Sequence, residues 1–148
     1  MLIYRISMAH RANSLTASGY PARWNSKGKF INYSAASRAL ACLENVVHRN
    51  GEGLSANFKV ITIHVPNGLK VKEISLADLP EDWHEIQNQI ITQHLGDRWL
   101  EKAETAILKI PSAIIQLETN FLLNPSHPDF KKIKIENVED FIFDPRIK

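Results

Sequence analysis

The chain has 148 residues, 44% hydrophobic and 23% charged, with 18 Lys and Arg against 16 Asp and Glu for a formal charge of +2. That length supports one domain, residues 1–148, with a core of its own. The near-balance of charge argues against direct nucleic-acid binding, which calls for a concentrated basic stripe. No stretch approaches the ~20 apolar residues of a membrane span, and MLIYRISMAH has too short an apolar run for a signal peptide. A lone cysteine, Cys42, excludes an internal disulfide, so a cytoplasmic protein with no membrane contact is expected.

Leu2 to Ile6 alternates apolar and polar residues and predicts a strand, with Arg5 either an inward ligand or part of an exposed face. Residues 10–20 are small and polar, hence a loop, and Pro21 stops any helix there. Arg23-Trp24-Asn25 and a turn at Ser26-Lys27-Gly28-Lys29 lead into a short strand, Phe30 to Tyr33. Ser34 or Ser37 can cap a helix with its body from about Arg38 to His48 and Gly51 as a natural stop. On that helix Ala36, Leu40, Leu43 and Val47 form the apolar stripe, with Glu44 on its shoulder. A carboxylate half inside an apolar face needs a partner. The plain alternative is a solvated rim glutamate. Cys42 reads as a small core residue, since no activating base accompanies it.

Phe58 to Val65 is β-branched and predicts a strand, with Leu69 to Ile74 as its hairpin partner across Pro66-Asn67-Gly68. A second helix is expected from about His84 to Leu95, with stripe Ile86, Ile90, Ile91 and Leu95, ended by Gly96. Trp99 and Leu100 would follow as a short turn, and Trp83 and Trp99 read as packing residues. Ala106 to Ile110 is a strand, Pro111-Ser112 a break that exposes the Ser112 hydroxyl, and Ala113 to Leu117 resumes the extended pattern. Short strands follow at Asn120 to Leu123, Ile133 to Ile135 and Phe141 to Phe143, and the clustered Lys131, Lys132 and Lys134 read as a solvated strand edge. The six histidines show no metal-ligand spacing, so no metal is expected. Seven to nine strands and two helices that do not alternate regularly make the fold α+β, mixed or antiparallel.

Taken together, these pieces resemble the RES domain family, named for an Arg, a Glu and a Ser. ARWNSKGKFINYSAASRALACLENVVH is similar to its N-terminal signature, KIPSAII to its serine segment, and TNFLLNPSHPDF with FIFDPR to its C-terminal signature. Residue by residue, the family's Arg falls on Arg23, its Tyr on Tyr33, its Glu on Glu44 and its Ser on Ser112. One departure is that Pro21-Ala22 stand where the family often has glycines, so a proline without an N–H replaces a residue that could offer one to a phosphate. The resemblance implies a fold similar to ADP-ribosyltransferase toxins and the toxin role in a bacterial type II toxin–antitoxin pair. It also implies consumption of NAD+ as substrate with no further cofactor, and an Xre-type helix-turn-helix antitoxin as partner. It leaves room for a homodimer within that complex.

The implied chemistry suits these residues. Nicotinamide leaves NAD+ as a neutral group, so the demand is on stabilising oxocarbenium character at the ribose, which one carboxylate can meet. Glu44 takes that part. Arg23 suits the pyrophosphate through its bidentate fork, with Arg5 a second phosphate candidate and Asn25 beside Arg23 in the same binding set. The Tyr33 ring could stack on nicotinamide and the Ser112 hydroxyl could fix the ribose or the carboxamide. NAD+ hydrolysis is expected, with ADP-ribosyl transfer to a protein as the alternative. The rivals are a non-catalytic interaction module, in which Arg23 and Glu44 form a structural ion pair, and an enzyme acting on RNA.

Overall fold

The computed structural model describes residues 1–49 and 57–147. Among them one seven-stranded sheet runs in the order β4-β5-β6-β2-β1-β3-β7. The strands are β1 (Leu2–Met8), β2 (Asn32–Ala35), β3 (Phe58–His64), β4 (Val71–Glu73), β5 (Ile107–Pro111), β6 (Thr119–Leu123) and β7 (Lys134–Phe141). Neighbours are antiparallel except β4 and β5, which are parallel. Helices α1 (Arg38–His48) and α2 (Gln89–Lys102) complete the α+β architecture expected from the sequence.

Side chains alternate across each strand, so the sheet has two apolar faces. Ile3, Ile61, Ile63, Ile107, Phe121 and Leu123 make one face continuous, covered by the loop that carries Ala12 and Leu15. The opposite face is split. At one end Ile6, Ala35, Phe58 and Val60 meet Leu40 and Ala41 of α1. At the other, Leu108, Ile110 and Leu122 meet Trp24, Ile31, Trp83 and Trp99. Between the two clusters lies a gap. The sheet is also loosest beneath it: β1 and β2 pair only at Tyr4 and Ala35, whereas β1 and β3 pair along their whole length.

Several local expectations give way to tertiary demands. Leu69 to Ile74 forms no hairpin with β3, because β1 and β7 already occupy both of that strand's edges; β4 crosses to the far side of the sheet and joins β5. Ala113 to Leu117 is not extended but forms the loop of a β5–β6 hairpin whose last pair is Pro111 with Thr119. Phe141 ends β7, a single eight-residue strand, so Ile133 to Ile135 and Phe141 to Phe143 are not separate strands. Lys131 and Lys132 sit in a short 3-10 turn, Pro128–Lys132, and only Lys134 lies on the edge strand. The second helix starts five residues later than expected and runs through Gly96 to Lys102, taking Trp99 with it. Its buried face is Thr92, Gly96 and Trp99, while Ile86 and Ile90 are exposed. Gly96 does not stop this helix. A Cβ there would stand 1.8 Å from the Trp24 carbonyl oxygen, so glycine lets α2 pack directly on the backbone beside Arg23.

Ser37, not Ser34, caps α1 by accepting from the Leu40 N–H at 3.1 Å. The helix ends at His48 with Arg49 as its C-cap; Gly51 lies outside the described residues.

Candidate active site

The gap between the clusters is a cavity of about 570 Å³. Its floor is one row of paired residues across four strands: Tyr4, Ala35, Asn120 and Ile110. One wall is α1, through Ala41, Glu44 and His48; facing it are Pro21 to Trp24, the Tyr33 ring and Gln89 at the start of α2.

Glu44 reaches this cavity because of where α1 buries its first turn. Leu40 and Ala41 are the helix's buried residues, and Glu44 falls between them in angle, one turn on. The carboxylate therefore stands in the middle of the inward face and not on its shoulder. Of the expected stripe only Leu40 is buried; Ala36 is exposed and Val47 is 54% exposed at the cavity mouth. His48, a further turn along the same line, continues that face.

The carboxylate is held at both oxygens. Oε1 accepts from Ser112 Oγ at 2.8 Å and Asn120 Nδ2 at 2.6 Å. Oε2 lies 3.2 Å from His48 Nε2. Burial by itself would raise the pKa of Glu44, but the hydrogen bonds from His48, Asn120 and Ser112 outweigh it and hold the group below the ordinary carboxylate value. At neutral pH the cavity wall carries a fixed negative charge.

Ser112 is 0% exposed and lies behind the carboxylate. Its Oγ accepts from the Ile114 and Ile115 N–H groups, so its one proton is directed to Glu44. Tyr33 lends its ring to the cavity, while its hydroxyl donates to Asn25 Oδ1 at 2.6 Å and accepts from the Trp24 N–H at 3.2 Å. Burial pushes the phenol far above its ordinary pKa, so it stays neutral. Asn25 is buried and does not line the cavity; its Nδ2 donates to the Tyr20, Ser26 and Lys29 carbonyls, which shapes the turn that presents Arg23.

Arg23 lines the cavity opposite Glu44, held weakly by the Trp83 and Glu85 carbonyls at 3.4 and 3.5 Å. Burial lowers its pKa, and attraction to Glu44 and Tyr33 opposes that shift. Among the described residues the basic side chain in contact with Glu44 is His48, not Arg23. Arg23 thus keeps donors free for an anion. Arg5 borders the cavity, but alternation along β1 turns its side chain to the sheet face opposite Tyr4, where Asn32 Oδ1 and the Thr16 carbonyl engage its guanidinium.

Two site residues escaped the sequence reading. His48 had a signal, since it stands four residues after Glu44 on a helix. Asn120 had only its place at the start of a short strand. Its meeting with Glu44 spans 76 residues and depends on β6 pairing with β2.

A half-buried arginine, an aromatic ring and an anchored carboxylate surround one cavity, and the chain that places them there belongs to the RES domain family, whose model matches residues 2–144. It is 40% identical over 143 residues to the Prs ADP-ribosylating toxin of Sphingobium sp. (strain YBL2), covering 93% of this chain and 89% of that one. It is 33% identical over 154 residues to Toxin Res of Yersinia enterocolitica, covering the full length of both. The fold matches a chain of the M. tuberculosis MbcT–MbcA toxin–antitoxin complex with a TM-score of 0.77 at 19% identity, over 95% of this chain and 84% of that one.

Proposed function

We propose that this protein is the toxin of a toxin–antitoxin pair and that its cavity cleaves the nicotinamide–ribose bond of NAD+. The observation that carries the proposal is the ionised Glu44, anchored at both oxygens on the cavity wall, with Arg23, which forms no salt bridge among the described residues, lining the same cavity. As the C–N bond lengthens, positive charge grows at the ribose and nicotinamide departs neutral. A preorganised carboxylate stabilises that charge without reorientation. Arg23 holds the pyrophosphate and the Tyr33 ring packs on the nicotinamide. Water then attacks the anomeric carbon and releases a proton to solvent, yielding ADP-ribose beside the neutral nicotinamide.

Transfer of ADP-ribose to a protein acceptor is the second reading, supported by the name of the Sphingobium relative. An antitoxin partner is proposed because the M. tuberculosis neighbour is a chain of a toxin–antitoxin complex; its Xre-type helix-turn-helix character is proposed from the family resemblance, and a cytoplasmic location from the lone Cys42. The test is nicotinamide release from NAD+ by the purified protein and by Glu44→Ala, with circular dichroism as the fold check. Release by wild type alone supports cleavage at Glu44. No release by either, with or without cell extract as a source of acceptor, refutes it.

A further inference from the structure

We propose that Asn120 is a positioning residue of this site: its carboxamide closes the last lone pair of Glu44 Oε1, so the carboxylate presents Oε2 alone to a ligand. This rests on the NAD+-cleavage reading for its kinetic consequence, but not for its geometry.

A carboxylate oxygen has two in-plane lone pairs. Those of Oε1 are both taken, one by Ser112 Oγ–H and one by the Asn120 amide. Neither donor can turn away. Two backbone N–H groups of the following loop saturate the acceptor side of the Ser112 hydroxyl. The Asn120 amide must face Glu44 with its nitrogen, because its own oxygen at 2.6 Å from an anionic oxygen would be repelled. Among the described residues Oε2 meets only His48, whose side chain is 64% exposed.

The carboxylate can rotate about its terminal bond, a broad torsion with little intrinsic preference. Ser112 alone would leave that rotation only partly restrained, because one donor can follow either oxygen. The second donor, arriving from another strand, fixes the plane. A ribose hydroxyl entering the cavity then finds one oxygen in one orientation, as an oxocarbenium-like transition state requires.

The contribution of Asn120 to the fold does not account for it. Its Oδ1 is buried with no donor partner among the described residues, an arrangement that weakens a protein. The neighbours in its row, Ala35 and Ile110, are apolar. A leucine has the same branched shape, is somewhat larger, and would suit those apolar neighbours.

The experiment compares wild type and Asn120→Leu by nicotinamide release from NAD+ and by pH titration of the Glu44 side-chain carboxyl carbon with carbon-13 NMR. Loss of one charge-assisted hydrogen bond is expected to raise the Glu44 midpoint by roughly one pH unit. It should lower kcat at least tenfold while KM stays within about threefold, since a misoriented carboxylate spoils the transition state more than substrate binding. A residue that served only the fold would move neither the midpoint nor kcat in a folded variant. If Asn120→Leu fails to fold, Asn120→Ser, whose hydroxyl is too short to reach Glu44, replaces it with the same expectations. An unmoved midpoint, or an unmoved kcat in an active enzyme, overturns the proposal. If wild type itself releases no nicotinamide, the cleavage reading fails, and a raised midpoint still upholds the clamp.

Discussion

Replacing Gly96 by alanine should destabilise the protein, although helix propensity predicts the opposite. In an exposed helix interior Gly→Ala gains about 1 kcal/mol. Here the new Cβ would lie 1.8 Å from the Trp24 carbonyl oxygen, 2.8 Å from its carbonyl carbon and 3.2 Å from its Cβ. Two of those atoms are backbone, so no rotamer change relieves the clash. Helix α2 must retreat by over an ångström, roughly the shortfall from ordinary contact. The retreat would strain the Thr92 hydroxyl's bond to the Arg23 carbonyl and the bonds from the Gln93 amide to the Ala22 and Asn25 carbonyls. Overpacking of this kind costs about 1–3 kcal/mol, and the strained hydrogen bonds add about 1 more. After the propensity gain, a net loss of about 2 kcal/mol remains. At this chain length that lowers Tm by roughly 4–8 °C. Urea unfolding of both proteins measures it. A variant as stable as wild type, or more so, would refute direct packing of α2 on the Trp24 backbone. Because the same backbone carries Arg23, the variant should also bind NAD+ more weakly.

Glu44→Gln keeps the shape of the side chain and removes its charge, so kcat for nicotinamide release should fall at least about 100-fold with the circular dichroism spectrum unchanged; a smaller loss would assign the transition-state charge to another group. Arg23→Lys should raise KM, since an ammonium cannot reproduce the bidentate contact with a pyrophosphate. An unchanged KM removes Arg23 from the phosphates. The depressed pKa of Glu44 gives stability a defined pH dependence. Its contribution is complete above the ordinary carboxylate range and disappears as pH falls through the lower folded-state value. Wild type should therefore lose more stability between pH 5 and the acid range than Glu44→Gln does, as urea midpoints at a series of pH values would show.

Much of the local structure was written in short stretches of sequence. The β-branched run at Phe58 to Val65 forms β3, the Ser37 cap and the helix behind it sit where spacing placed them, and Glu44 points inward because it stands four residues after Leu40. Arg23, Tyr33 and Glu44 do meet around one cavity, and Ser112 meets Glu44 from behind. These relations depend on periodicity within an element, or on motifs whose order resembles a known family.

What only the tertiary structure decided is which elements touch. β4 runs parallel to β5 because both edges of β3 were already taken, a competition among strands that no hairpin signal at Asn67-Gly68 records. The buried face of α2 consists of Thr92, Gly96 and Trp99, so a reading based on hydrophobic spacing selected Ile86 and Ile90, which face solvent. The donors that orient Glu44 come from residues 68 and 76 positions away. A carboxylate's protonation, orientation and partners are set by groups within a few ångströms of it. Sequence spacing determines those distances along a helix or strand, and strand order determines them across the sheet.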